Sequence, residues 1–249
     1  MIRIKSPQEI ALIRNSCKIL VSTFQLLEQM IHAGVTTREI DAEAEQFIRS
    51  RDARPAFKGY NGFPASTCIS IDDQVVHGIP GNTRLEEGKI VSIDIGVEFN
   101  GYFGDAAKTF VVGNTDSERK RLVDVTSQAL NKGIEIIKPG RKLSDISFAI
   151  QTHVESAGYS IVRDLVGHGI GKKLHEDPQI PNFGPPHQGP KLKEGMVFAI
   201  EPMVNMGNYQ IILEKDQWTV KTMDGLPSAH FEHTVAITAT SADILTSGI

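Results

Sequence analysis

The stretch Val91-Ser92-Ile93-Asp94-Ile95-Gly96-Val97-Glu98-Phe99-Asn100-Gly101-Tyr102-Phe103-Gly104-Asp105 reads as a β-hairpin that carries acids on one face. Val91, Ile93, Ile95 and Val97 point one way, while Ser92, Asp94 and Gly96 point the other, because successive strand residues alternate. Asn100-Gly101 is a turn signal, since both residues tolerate the positive φ of a type I′ turn. With those two at the tip, Gly96 lies opposite Asp105 and Asp94 opposite Ala107. The two aspartates become diagonal neighbours within reach of a common point. Carboxylates held together away from water repel, and one would normally take a proton. A divalent cation removes that conflict. For this pair alone, a solvated sheet face with scattered acids is the competing reading.

Working outward, the chain reads as two similar halves of about residues 1–112 and 113–249, each running helix, helix, then strands. Ser6-Pro7-Gln8-Glu9 opens the first helix with an N-cap, a proline at the first helical position and a capping box. Ile10, Ile13, Cys17, Leu20, Phe24 and Leu27 recur at helical spacing, and Gly34 is expected to end the element. Thr37 begins a second helix with Ile40, Ala44, Phe47 and Ile48 inward. Strands are expected at 67–71, 91–97 and 104–112. The order then restarts: a long helix after Asp116 to about Lys138, a break at Pro139-Gly140, a helix over 143–157, and strands at 196–200, 210–213 and 231–238. Gly34 matches Gly140 in this scheme, Ile40 matches Ile146 and Ile48 matches Val154. His77-Gly78-Ile79 and His168-Gly169-Ile170 stand in corresponding places, and each is followed by an acid at a strand, Asp94 or Glu201, and by a later one, Asp105 or Glu232.

The second half supplies the remaining candidates. Glu201 ends the apolar run 196–200 and precedes Pro202, an unusual place for a carboxylate. Glu232 points with Thr234 away from the face of Phe231, His233, Val235 and Ile237. His168 is flanked by Gly167, Gly169 and Gly171, which let backbone approach closely around the imidazole. Each taken singly has a plainer reading, as a strand-end charge or a hydrogen-bonded histidine. Together, Asp94, Asp105, His168, Glu201 and Glu232 form an oxygen-rich, nitrogen-poor set. That suits two hard or borderline divalent ions such as Co2+, Mn2+, Fe2+ or Zn2+, not a thiolate-type structural zinc.

Composition narrows the class. A formal net charge of −4 shows no basic footprint for nucleic acid. No uninterrupted run of 18 apolar residues suits a membrane span, and the N-terminus lacks the apolar core of a signal peptide. Two cysteines, Cys17 and Cys68, make no disulfide framework. These features point to the cytoplasm.

Seven motifs in order then carry a resemblance: Val75-Val76-His77-Gly78-Ile79-Pro80, Ser92-Ile93-Asp94, Gly104-Asp105, Gly167-His168-Gly169-Ile170-Gly171, His175-Glu176-Asp177-Pro178, Ile200-Glu201-Pro202-Met203 and Phe231-Glu232-His233-Thr234. Over almost the whole chain this resembles the type I methionine aminopeptidases, in their compact bacterial form. The resemblance implies an α+β pita-bread fold with pseudo-twofold symmetry around an antiparallel sheet, in one catalytic domain spanning 1–249. It implies removal of the N-terminal, initiator methionine from nascent proteins and peptides, preferably before a small second residue, by a hydroxide bridging two divalent ions. Asp105 and Glu232 would bridge the ions, Asp94 would complete one shell, and His168 with Glu201 the other. Glu201 would shuttle the proton, His175 would meet the developing oxyanion, and His77 would contact the scissile amide or the next residue. Phe57, Tyr60, Phe63, Cys68 and Trp218 would line the methionine pocket. The chain departs from the pattern at Phe63, where many relatives carry Tyr, at Phe57, where some carry Cys, and at Leu174, which replaces a common Phe. Ordinary core packing remains the other reading for Phe57 and Cys68. Expected partners are nascent polypeptide N-termini, including at the ribosome, with no sequence-specific nucleic acid, no membrane and a monomeric state. The competing functions are an Xaa-Pro peptidase, whose members usually carry a large extra N-terminal domain, a creatine-type hydrolase on the same fold, and a binding protein that has lost its ligands; the five ligand positions retained here argue against the last two.

Overall fold

The computed structural model describes all 249 residues, Met1 to Ile249. In the first half, α1 (Pro7–Glu28) and α2 (Thr37–Ser50) are followed by β1 (Arg54–Pro55), β2 (Cys68–Ile71), β3 (Gln74–Val76), β4 (Ile90–Phe99) and β5 (Tyr102–Val111). In the second, α3 (Ser117–Glu135) and α4 (Leu143–Ser156) precede β6 (Ser160–Ile161), β7 (Gly167–Gly169), β8 (Glu176–Ile180), β9 (Val197–Ile200), β10 (Met203–Asn205), β11 (Ile211–Leu213), β12 (Val220–Thr222), β13 (Ser228–His230), β14 (Glu232–Ile237) and β15 (Ala242–Ile244). The fold is α+β, as the motifs imply. One nine-stranded antiparallel sheet runs β1-β4-β5-β14-β9-β7-β8, with β2 also on β4 and β15 on β14.

Local chemistry explains the helix starts. Ser6 and Glu9 close the expected capping box on α1, with Pro7 in the first turn. Thr36 and Glu39 do the same for α2. The inward stripe Leu20, Phe24 and Leu27 packs with Ile40, Ala44 and Ile48 against Val91, Ile93, Ile95 and Val97 of β4. Burying each such large side chain contributes about 1.5–3 kcal/mol. α3 and α4 cover the other half of the sheet through Leu122, Ala129, Ile146 and Ile150. By length and apolarity alone α1 matches a membrane-crossing helix. Its residues Ile13, Cys17, Leu20, Phe24 and Leu27 are instead buried in the core.

Two helix ends differ from the sequence expectation. α1 stops at Glu28, not at Gly34. The N–H groups of Gln29 and Met30 fold back onto Leu26 and Leu27, and Gly34, at φ 94°, starts a bridge to Leu85 that leads into α2. α3 stops at Glu135, short of Lys138, and a tight turn then buries Ile137.

The two halves are related about the middle of the sheet. Gly34 donates to the Leu85 carbonyl at 2.8 Å, and Leu85 returns a bond to Val35 at 2.8 Å. Gly140 and Leu192 repeat the pattern, at 2.9 Å to the Leu192 carbonyl and 2.8 Å back to Arg141. β5 and β14 pair with Ala107 opposite Glu232 and Ala106 opposite His233. A local twofold through the Ala106–His233 pair therefore exchanges Asp105 with Glu232. It carries Asp94, opposite Ala107, onto Ala199, opposite Thr234. It carries Gly96, opposite Asp105, onto Glu201, one step beyond the Ile200–His233 pair. Cys68, opposite Asp94, falls on His168, opposite Ala199. This corrects the pairing drawn from the repeated tripeptide. The counterpart of His168 is Cys68, not His77, and the counterpart of Glu201 is Gly96, not Asp94.

Candidate metal centre and its pocket

The β4–β5 hairpin forms in the register its sequence predicts. Asn100 and Gly101 sit at φ 52° and 79°, Gly96 is opposite Asp105, and Asp94 is opposite Ala107. Alternation puts Asp94, Asp105, Glu232, Glu201 and His168 on one face of the sheet. Small neighbours keep that face open. Phe57 lies directly over Gly96, where an added Cβ would come within 2.6 Å of the ring. His168 sits on β7, pressed close to its neighbours. A Cβ on Gly167 would lie 2.5 Å from the Ala199 carbonyl oxygen, and one on Gly169 would lie 2.2 Å from that of Asp177. The flanking glycines thus permit the close backbone approach expected of them.

Asp105, His168 and Glu232 present ligand atoms within 4.8 Å of one another. His168 Nε2 lies 3.5 Å from Glu201 Oε1 and 3.9 Å from Asp105 Oδ2. His168 Nδ1 donates to the Gly169 carbonyl at 3.0 Å, which leaves the Nε2 lone pair free as a ligand. Burial, with a smaller push from His175, takes the His168 pKa down to about 3, so the ring is neutral. Asp105 is fixed by its strand: its N–H donates to Thr234 Oγ1 at 3.0 Å and its carbonyl accepts from the same hydroxyl at 2.7 Å.

The electrostatics ask for cations. No lysine or arginine pairs with any of the four carboxylates, whose only basic partners within 4 Å are the imidazoles of His168 and His230. Asp94 Oδ1, Asp105 Oδ1 and Glu232 Oε1 are buried without a hydrogen-bond partner. Desolvation pushes Asp94 up to about 8. It also holds Asp105 and Glu232 well above the carboxylate range, with neighbouring carboxylates adding to the effect, and raises Glu201 with help from Asp94. Buried, unpaired carboxylates of this kind fit divalent metal ions.

These groups open on a cavity of about 180 Å3 lined by Asp94, Asp105, His168, Glu201, Glu232, His77, His175, Phe57, Tyr60, Phe63, Cys68 and Trp218, together with Asn61 and Leu174. All twelve residues singled out in the sequence meet there. Phe57, Phe63, Cys68 and Leu174 are buried in its wall, and the Phe63 and Trp218 rings pack edge to face at 5.2 Å. His175 Nδ1 and Tyr60 Oη share a 2.7 Å hydrogen bond, and the His175 ring lies 4.2 Å from that of His168. His77 adopts a left-handed φ of 59° after β3. Burial holds both thiols in the protonated form, raising Cys17 to about 12 and Cys68 well above the usual thiol range.

Two residues escaped the sequence reading. Asn61 lines the cavity at φ 49° between Gly59 and Gly62, and the Tyr60-Asn61-Gly62 cluster was its signal. His230 stands behind the cavity wall, its Nε2 at 3.8 Å from Glu201 Oε2. Strand alternation back from Glu232 would have placed it on the ligand face.

The sequence profile of metallopeptidase family M24 matches residues 11–239. Methionine aminopeptidase 1 of Bacillus subtilis (strain 168) is 52% identical over 246 residues, covering 99% of both chains. The crystal structure of methionine aminopeptidase from Rickettsia prowazekii superposes with a TM-score of 0.98 at 43% identity, over 99% of this chain and 100% of that one. A prolidase from Pyrococcus furiosus shares the fold at a TM-score of 0.81 and 27% identity, but this chain spans only 65% of its length. With its curled antiparallel sheet and the carboxylate cluster at its centre, the chain belongs to metallopeptidase family M24 and, within it, to the methionine aminopeptidases.

Proposed function

We propose that this cavity removes the N-terminal methionine from peptides and nascent chains with two divalent cations bound. The observation that carries the reading is four clustered carboxylates, two buried and two half-buried, without a cationic side chain, facing a pocket walled by Phe57, Phe63, Cys68 and Leu174. Two dications balance four carboxylates, whereas one would leave two negative charges buried. Oxygen donors with a single imidazole admit Co2+, Mn2+, Fe2+ or Zn2+. Asp94, Asp105, Glu232, Glu201 and His168 would hold these ions. Bound there, such ions polarise a carbonyl and bring the proton loss of water towards neutral pH.

The residues do the rest. Glu201 takes a proton from the attacking water at a carboxylate oxygen and passes it to the leaving nitrogen. With the Tyr60 hydroxyl donating to Nδ1, the neutral His175 ring carries its proton on Nε2 and offers that N–H to the carbonyl oxygen as charge develops on it. His77, neutral because burial and His175 lower its pKa, faces the scissile amide. Phe57, Phe63, Cys68, Leu174 and Trp218 offer the methionine thioether a soft apolar lining. At about 180 Å3 the cavity is below the roughly 300–1,000 Å3 of ordinary small-molecule sites, so it admits a chain terminus one residue at a time. His77 and Phe63 line the cavity, and crowding beside them would favour a small second residue. The expected setting is the cytoplasm, at N-termini emerging from the ribosome, with the enzyme as a monomer.

The test is release of methionine from Met-Ala-Ser. Activity should vanish on chelation and return with one of the four ions, Ala-Pro should remain uncut, and Glu201→Gln should lose at least about 100-fold in kcat. Full activity in chelated protein would overturn the reading.

A further inference from the structure

Glu201 stands between two imidazoles. Its Oε1 faces His168 Nε2 at 3.5 Å, and its Oε2 faces His230 Nε2 at 3.8 Å. The first belongs to the ligand set. The second does not, because His230 is outside the cavity lining and only 1% exposed. Its Nε2 is nevertheless buried and has no hydrogen-bond partner. A buried polar group left unpaired is costly, so a ring nitrogen aimed at a carboxylate oxygen calls for a role.

The backbone holds the ring where it is. His230 N–H donates to Thr109 Oγ1 at 2.9 Å, and the Thr109 hydroxyl donates to the His230 carbonyl at 2.8 Å. Because that hydroxyl proton is committed, the 2.8 Å contact with Ser92 Oγ is a donation from Ser92. Met203 pairs with His230 across β10 and β13. A clamp from three strands therefore fixes the His230 backbone, and burial confines its imidazole, while the carboxylate opposite it has the terminal torsion free to turn.

We propose that His230 is a positioning residue for Glu201. Its Nε2–H donates to Oε2 and holds the carboxylate with Oε1 turned towards His168 and the cation position. At 3.8 Å the contact is longer than a hydrogen bond, whose N–H···O distance is about 2.7–3.2 Å. The terminal torsion of a glutamate is broad, and a small rotation closes the gap. His230 fills one of the two lone-pair sites on Oε2 and leaves the other for the proton that Glu201 carries. It touches neither substrate nor cation and acts only through Glu201. The inference rests on the proposed role of Glu201 as ligand and proton carrier.

Full-length wild type, His230→Leu and His230→Gln are compared by three measurements: Zn2+ binding by calorimetry after chelation, kcat and KM on Met-Ala-Ser at saturating Zn2+, and thermal unfolding. His230→Leu, folded, should bind Zn2+ about 10–100-fold more weakly and lose kcat by a similar factor, with KM changed less than about threefold. His230→Gln, which offers an amide N–H at similar reach, should restore both to within about threefold of wild type. Unchanged Zn2+ affinity in His230→Leu, or equal damage in the two variants, overturns the proposal. Should the leucine variant not fold, 15N-histidine spectra of the wild type decide instead, with the His230 signal assigned by its loss in His230→Gln. A protonated Nε2 whose resonance moves on adding Zn2+ supports the proposal, and a protonated Nδ1 overturns it. Wild type that neither binds Zn2+ nor releases methionine would overturn the functional reading itself. Wild type that does both beside an unaffected His230→Leu overturns only the role of His230.

Discussion

At the scale of single residues, the site joins groups whose protonation is set by burial to groups whose orientation is set by a neighbour. His175 is of the second kind, with Nδ1 tied to the Tyr60 hydroxyl at 2.7 Å. On the role proposed for His175, losing that bond would let the ring turn and present the wrong nitrogen to the substrate carbonyl. Tyr60→Phe should lower kcat about tenfold, equivalent to about 1.4 kcal/mol in the barrier, and leave KM nearly unchanged. Steady-state kinetics on Met-Ala-Ser check this, and an unchanged kcat would remove Tyr60 from the catalytic arrangement. The acids and His168 were legible in sequence because each breaks a local expectation: a charge at the end of an apolar strand, or an imidazole among glycines. For His230 alternation from Glu232 could give the face but not the partner, because nothing near it in sequence shows that Glu201 lies across from it.

At the scale of elements, legibility follows range. The β4–β5 hairpin and the capping boxes of α1 and α2 rest on contacts a few residues apart, and the structure reproduces them. β7 is three residues long and two are glycines, so neither alternation nor β-propensity marks it. It is a strand because β8 and β9 flank it. The tight packing there makes Gly169 sensitive: Gly169→Ala would drive a methyl group to 2.2 Å from the Asp177 carbonyl oxygen and force β7 and β8 apart. The expected cost is about 1–3 kcal/mol of stability, together with weaker cation binding as His168 shifts. Denaturant unfolding and calorimetry on the same sample test both, and wild-type stability with wild-type affinity would contradict the close approach.

At the scale of the whole molecule, the fold concentrates like charges where its halves meet, and that has a pH signature. Burial, with like-charge repulsion at Asp105, Glu201 and Glu232, raises the pKa of all four carboxylates, Asp94 to about 8. Groups raised in the folded state stabilise it fully below their unfolded values and lose that contribution as pH rises through the folded ones. Chelated protein should therefore become less stable between about pH 4 and pH 8. A loss of even about 1 kcal/mol would lower Tm by about 2–4 °C in a chain of this size. Saturating Zn2+ should flatten the profile, because ions replace protons as the balancing charge; thermal melts across that range in both states check it, and coincident profiles would contradict it. By itself the sequence determined the repeated helix-helix-strands order, the helix starts, the hairpin register and which polar residues gather in one cavity, because these depend on local periodicity, turn chemistry and the chemical incompatibility of clustered acids. Only the tertiary structure decided which residues are related by the twofold. The register between β5 and β14, and between β9 and β7, is set by packing among strands far apart in the chain. That packing made Cys68 the counterpart of His168, exchanged Asp105 with Glu232, and brought a second imidazole behind Glu201.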